Sequence, residues 1–346
     1  MLTVKTRTSF LDLLRIIACF LVIVNHTNSA IFRSRTPESL TWYASLIYFF
    51  ISKIAVPIFF MISGYLLLNK IDSYKKCLQR IFRIAIALIV CSFIYALYHT
   101  YHNNPDASFS SVIIQFQTTH FKSPTNALWY MYAYLGILIM LPFLQKMTHL
   151  MTKCDYLVFF AISGFFFSIL PILSHYFPDV KLNKNFQLPI FSAYISMLFI
   201  GQYFSRFGIK KTKFLFSLAC LLFVLMLTFN VVATRYEYNK SSKSYLFFDN
   251  RTYLPILLQS VCVFYIISFV KIPEKLSKAV TYIGSCTFGI YLVSDMLIDA
   301  LKPIYTRAET HMHPLFAVIL FEICVFLTGL IIVSILKKVP LIKKIL

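Results

Sequence analysis

The sequence predicts an all-α integral membrane protein with about ten transmembrane helices and both termini in the cytoplasm, and three observations carry that class. Only 13% of the 346 residues are charged, roughly half the ~25% of an average soluble domain. Hydrophobic residues make up 59% of the chain and the mean hydropathy is +0.74. Apolar runs with few charges recur from one end to the other, many near the roughly 20 residues that cross a bilayer. They leave no room for a large soluble domain, so 1–346 reads as one polytopic membrane domain.

In chain order the spans fall near 10–32, 42–68, 82–101, 127–147, 155–173, 187–205, 214–233, 253–270, 282–301 and 314–336. The first follows Lys5 and Arg7 as a signal peptide would. It is too long for the apolar core of such a peptide and lacks an A-x-A cleavage site, so it reads as a retained helix. Basic clusters separate the later pairs: Lys70 to Arg83 after span two, Lys146 and Lys153 after span four, Arg206 to Lys213 after span six. Lys271 to Lys278 follow span eight and Lys337 to Lys344 follow span ten. The outer loops at 102–126, 174–186 and 234–252 are longer, with Pro105, Asp106, His120, Pro124, Pro178 and Asp179 in the first two. The third, "TRYEYNKSSKSYLFFDNR", mixes aromatic and polar residues. It suits either an interfacial aromatic belt or a cover for a sugar-binding surface.

The formal net charge of +20 would suggest nucleic acid in a soluble protein. Its distribution excludes that class. The ends and even-numbered loops hold 20 Lys and Arg against 11 in the odd-numbered loops, and the positive-inside rule then sets the orientation. Of the eight cysteines, six lie in or beside spans and Cys77 and Cys154 lie in cytoplasmic loops. No C-x-x-C occurs, which argues against disulfides and zinc ribbons. No internal repeat is visible.

Ionisable groups inside spans are costly and face a protein interior or a water-filled cavity. Here they are Asp12, Arg15 and His26 in span one, Lys53 in span two, Asp295 and Asp299 in span nine, and Glu322 in span ten. Arg15 and His26 are eleven residues apart, almost three turns, which places them on one face about 16 Å apart along the axis. Asp12 lies three residues before Arg15 and can pair with it. One reading is a cation that holds an anionic donor and an imidazole that acts as general base further up. The other is an arginine that snorkels to the headgroups and a histidine bonded to a neighbouring helix. Spacing leaves the two open.

Several motifs in order along the chain then add a resemblance. "LDLLRIIACFLVIVNHT" has the R-x10-H pattern of the acyltransferase family 3 membrane proteins at Arg15 and His26, with the preceding LD-x-LR form. "FFMISGY" at Phe59 to Tyr65 resembles the family's FF-x-x-SGY signature, and "RIFR" its R-x-x-R element at Arg80 and Arg83. "LWY" at Leu128 to Tyr130 and "GIYL" at Gly289 to Leu292 follow. The sugar O-acetyltransferases of bacterial surface polysaccharides, of the enterobacterial common antigen and O-antigen types, look most similar.

The resemblance implies ten helices in a bacterial inner membrane and transfer of an acyl group, commonly acetyl from acetyl-CoA, to a hydroxyl of an envelope glycan or lipid-linked sugar. Acetyl-CoA is then a substrate, with no permanently bound cofactor and no metal. Arg80 and Arg83, three apart on one helical face, can hold its phosphates, although the positive-inside rule also explains basic residues there. Arg15 would position the donor and His26 would deprotonate the acceptor hydroxyl. Asp12 either orients Arg15 or is a carboxylate favoured by the helix dipole. Ser63 and Gly64 suit close helix packing. Trp129 and Tyr130 suit an acceptor site or the outer interface. One departure stands out: where relatives have histidine in "YLIH", this chain has Ser294 followed by Asp295. Asp295 and Asp299, four apart, are either sugar ligands or interfacial carboxylates. Glu322 sits inside the apolar layer and is expected to serve the site. The rival class is a transporter of a lipid-linked sugar, which would show inverted repeats and broken helices.

Overall fold

The computed structural model describes residues 9–27, 39–120, 128–183, 185–186, 188, 192–240 and 246–345, and every described regular element is a helix. Lys5, Arg7, Arg33, Arg35, Lys122, Pro124, Lys184 and Lys243 lie outside the described residues. The helices are α1 (Ser9–Thr27), α2 (Leu40–Ser52), α3 (Ala55–Leu67), α4 (Tyr74–Asn103), α5 (Phe109–His120), α6 (Trp129–Leu150) and α7 (Lys153–Gly164). They continue with α8 (Leu170–Tyr176), α9 (Ala193–Phe207), α10 (Lys213–Lys240), α11 (Leu254–Ile267), α12 (Glu274–Glu309), α13 (Pro314–Leu336) and α14 (Pro340–Ile345).

Eight spans among the described residues are long and apolar enough to cross a membrane: α1, α2 with α3, α4, α6, α7 with α8, α10, α12 and α13. The protein is therefore an all-α integral membrane protein. The other two expected spans are shorter helices. α9 has 15 residues and α11 has 14, about 22 Å and 21 Å at 1.5 Å per residue, against a hydrocarbon core of about 30 Å. Local chemistry sets their starts. Ser192 caps α9 by accepting from the Ile195 amide at 3.1 Å, and Pro255 occupies the first turn of α11, where its missing N–H costs nothing.

Two spans are interrupted. α2 and α3 meet at Lys53 and Ile54, which keep right-handed angles (φ −64°, ψ −20° and φ −71°, ψ −14°). Pro57 has no N–H for the Lys53 carbonyl, and the ladder breaks there. α7 begins with a capping box between Thr152 and Asp155. It passes through a π-turn at Phe165–Ile169 into α8, whose first turn holds Pro171. The stretch expected as an outer loop at 102–126 instead contains α5, which buries Val112 and packs on α4 with the Phe93–Phe116 ring pair between them.

The chain forms two compact units, Met1–Ile71 with Gln145–Ser285, and Asp72–Leu144 with Cys286–Leu346. In the first, α3 and α9 pack face to face. A Cβ on Gly64 would run into the Leu198 backbone, and one on Gly201 into the Met61 backbone. Lipid tails are as apolar as side chains, so close packing rather than hydrophobicity joins such helices. Trp42, Leu46, Phe49 and Phe50 of α2 form a core with Ile256 of α11. Loose carbonyls at helix ends are satisfied by side chains: Gln145 donates to the Leu67 carbonyl at 2.7 Å, Gln202 to that of Leu68 at 3.2 Å, and Arg206 to those of Thr148 and His149. In the second unit α4 packs on α5 and α14. Gly329 of α13 lets that helix approach α12, where an added Cβ would lie 3.2 Å from Ile290 and 3.6 Å from Leu297.

Candidate functional site

In the first unit, α1 runs unbroken from Ser9 to Thr27, so Arg15 and His26 share a face as their spacing requires. Asp12 is fully buried, and its Oδ1 accepts from Arg15 Nη1 at 2.5 Å. Thr281 Oγ1 of α12 donates to Asp12 Oδ2 at 3.4 Å. Gly284, one turn on, makes room for that carboxylate: a Cβ there would lie 2.9 Å from Asp12 Cβ. The Asp12–Arg15 pair is thus held by two helices. A guanidinium has five N–H donors, and the Arg15 side chain keeps 25% of its surface open. It therefore retains donors for an anion. His26 is half-buried in the last turn of α1.

The second unit carries the other expected residues. Arg80 and Arg83 stand in the early turns of α4. Arg80 Nη1 donates to Asp72 Oδ2 at 2.5 Å, and Lys76 Nζ lies 2.8 Å from Asp72 Oδ1. Arg83 Nε donates to the Ile345 carbonyl of α14 at 3.0 Å. Two arginines on one face are present, each with a protein partner that sequence spacing did not reveal. Lys343 and Lys344 lie on α14, against which α4 packs.

Trp129 and Tyr130 open α6, and Tyr130 meets Tyr291 of α12 edge-on at 5.8 Å. Ser294 is 1% exposed and donates to the Tyr291 carbonyl of its own helix at 2.9 Å. Asp295 is half-buried beside Tyr95. Glu322 is fully buried on the α13 face that also holds Val318, Val325 and Gly329.

Sequence reasoning missed a carboxylate–imidazole pair in the first unit. Glu237 is 1% exposed; its Oε2 lies 3.0 Å from His175 Nε2, and its Oε1 accepts from Tyr176 at 2.7 Å. Phe247 stacks on His175 at 3.8 Å. Lys53, expected as an intramembrane charge, reaches Asp249 at 3.3 Å and lies over the Phe49 ring. The aromatic loop is therefore folded into the unit around Phe247–Asp249, with Phe248 2% exposed. α10 continues to Lys240 instead of ending near 233, which carries Glu237 into the interior.

Apolar spanning helices that enclose ion-paired carboxylates and arginines define an integral membrane protein with polar chemistry inside it. The acyltransferase domain model matches residues 8–338, nearly the whole chain, and the chain belongs to acyltransferase family 3. It is a membrane acyltransferase that works in a bilayer with an acyl donor and an acceptor. Comparisons with curated proteins and with solved structures give no match.

Proposed function

We propose that this acyltransferase moves an acetyl group from cytoplasmic acetyl-CoA to a hydroxyl of an envelope glycan or lipid-linked sugar in a bacterial inner membrane, as the surface-polysaccharide O-acetyltransferases it resembles do. The observation that carries the reading is the shared face of Arg15 and His26 on an unbroken α1, with Arg15 fixed by the buried Asp12. Arg15 holds the donor, and the ~16 Å along the helix to His26 suits an extended pantetheine arm. His26 takes the proton of the acceptor hydroxyl. The oxygen attacks the thioester carbonyl, the new C–O bond forms, the C–S bond breaks, and the thiolate leaves to be protonated as free CoA. Arg80 and Arg83 take the donor phosphates through charge-assisted hydrogen bonds. Trp129, Tyr130 and Asp295 contact the acceptor. Ser294, which donates to its own helix and keeps its acceptor lone pairs, joins them at the acceptor, and the buried Glu322 serves the site from α13.

A second reading, passage of a lipid-linked sugar across the membrane, is favoured by the interruption of a span at Lys53–Ile54. Purified protein reconstituted in sealed lipid vesicles with acetyl-CoA separates the two. Release of free thiol that rises with added glycan supports transfer, and glycan movement without thiol release supports passage.

A further inference from the structure

Three residues of α12, Tyr291, Asp295 and Asp299, recur every fourth position and so share one face. They grade from interior to surface: Tyr291 is 6% exposed, Asp295 is half-buried, and the Asp299 side chain is 42% exposed. α4 lines this face. The Tyr95 hydroxyl donates to the Leu292 carbonyl and accepts from the Met296 amide, each at 3.2 Å. Those are the two groups that pair with each other in an undisturbed helix, so Tyr95 ties α4 to α12 at the turn that presents Asp295.

One turn further out, Tyr98 donates to Asp299 Oδ2 at 2.9 Å, and His102 Nε2 lies 4.0 Å from the same oxygen. The Tyr98 and His102 rings stack at 5.3 Å with 16° between planes. Asp299 Oδ1 and the whole Asp295 carboxylate have no hydrogen-bond or ion-pair partner among the described residues. Ser92, fully buried on the same face of α4 as Tyr95, also has an unpartnered hydroxyl. A half-buried carboxylate keeps acceptor sites open on its exposed side, so the face can receive donors.

We infer that the Tyr291–Asp295–Asp299 face with Tyr98 and His102 binds a saccharide ring that is neutral or positively charged, and rejects an acidic one. Aromatic rings take the apolar face of a pyranose, and carboxylate oxygens accept from its hydroxyls or from an ammonium group. A uronic acid would bring a third carboxylate beside Asp295 and Asp299, where like charges repel. The one cation close by along α12, Lys302, is exposed and lies beyond Asp299. This inference rests on the acyltransferase reading only in taking the bound sugar to be the acceptor.

The test is isothermal titration of the full-length protein in detergent micelles with methyl glucoside, methyl glucosaminide in its charged form, and methyl glucuronide. The site predicts that the glucosaminide binds tightest and that the glucuronide binds about tenfold or more weaker than the glucoside. Asp295→Asn with Asp299→Asn should collapse that ranking. Tyr98→Phe, which keeps the ring, should weaken all three and preserve the ranking. Equal binding of the three sugars, no binding of any, or a ranking that survives the double substitution would overturn the site. Absence of thiol release alongside an intact ranking would remove the acyl-transfer reading and leave this one standing.

Discussion

Arg15 donates from Nη1 to Asp12 Oδ1 at 2.5 Å; the carboxylate it grips is fully buried, while a quarter of the arginine side chain stays open. Asp12 therefore depends on Arg15 more than Arg15 depends on Asp12. Replacing Arg15 by Ala takes the guanidinium away from a buried carboxylate that keeps its Thr281 hydrogen bond, which costs about 3 kcal/mol once partial exposure of the pair is allowed for. Asp12→Asn with Arg15→Met removes both charges and should recover most of that loss. Thermal unfolding in micelles reads the recovery. Thiol release from acetyl-CoA should stay at background in the double variant, because the cation proposed to hold the donor is gone.

Four glycines are expected to answer in three different ways to the same methyl group. Gly64→Ala and Gly201→Ala push a Cβ into the opposing backbone and should cost about 3 kcal/mol, read as lost yield and a lower unfolding temperature. Gly284→Ala meets the Asp12 side chain instead. It should reduce turnover more than stability, since it displaces the group that orients Arg15. Gly136→Ala meets nothing within 4 Å and should be neutral or gain up to about 1 kcal/mol.

These contrasts show what the sequence could disclose. The pairing of Asp12 with Arg15 follows from their i,i+3 spacing, and the small patch at Ser63–Gly64 announced a close helix crossing. Partners distant in the chain were invisible: nothing near Asp12 points to Gly284, and nothing near Glu237 points to His175. The extension of α10 was hidden because the polar run 234–240 reads as a loop by hydropathy, yet its Thr234 and Glu237 face inward. Membrane burial puts polar residues inside, so hydropathy loses its sense of direction where a helix passes the apolar layer.

Arg80 and Arg83 test the donor end. Arg80→Ala with Arg83→Ala should raise the KM for acetyl-CoA about tenfold or more, with a smaller change in kcat. Asp72→Asn removes the carboxylate that competes for Arg80 and should lower that KM. Steady-state thiol release decides both. A KM that does not move in either variant would assign the cluster to topology alone.

Glu237 holds His175 and Tyr176 at once. Glu237→Ala strands both and should cost about 2 kcal/mol, measured by thermal unfolding. The KM for acetyl-CoA should stay unchanged, because the pair lies apart in sequence from the residues proposed to bind the donor.

The central claim is that His26 activates the acceptor hydroxyl. Mass spectrometry of surface glycans from cells that lack this gene, complemented with wild type or with His26→Ala, tests it most directly. The account predicts that wild type restores the mass of one acetyl group per acceptor unit and that His26→Ala, inserted in the membrane at equal level, does not. Full acetylation by His26→Ala would contradict it.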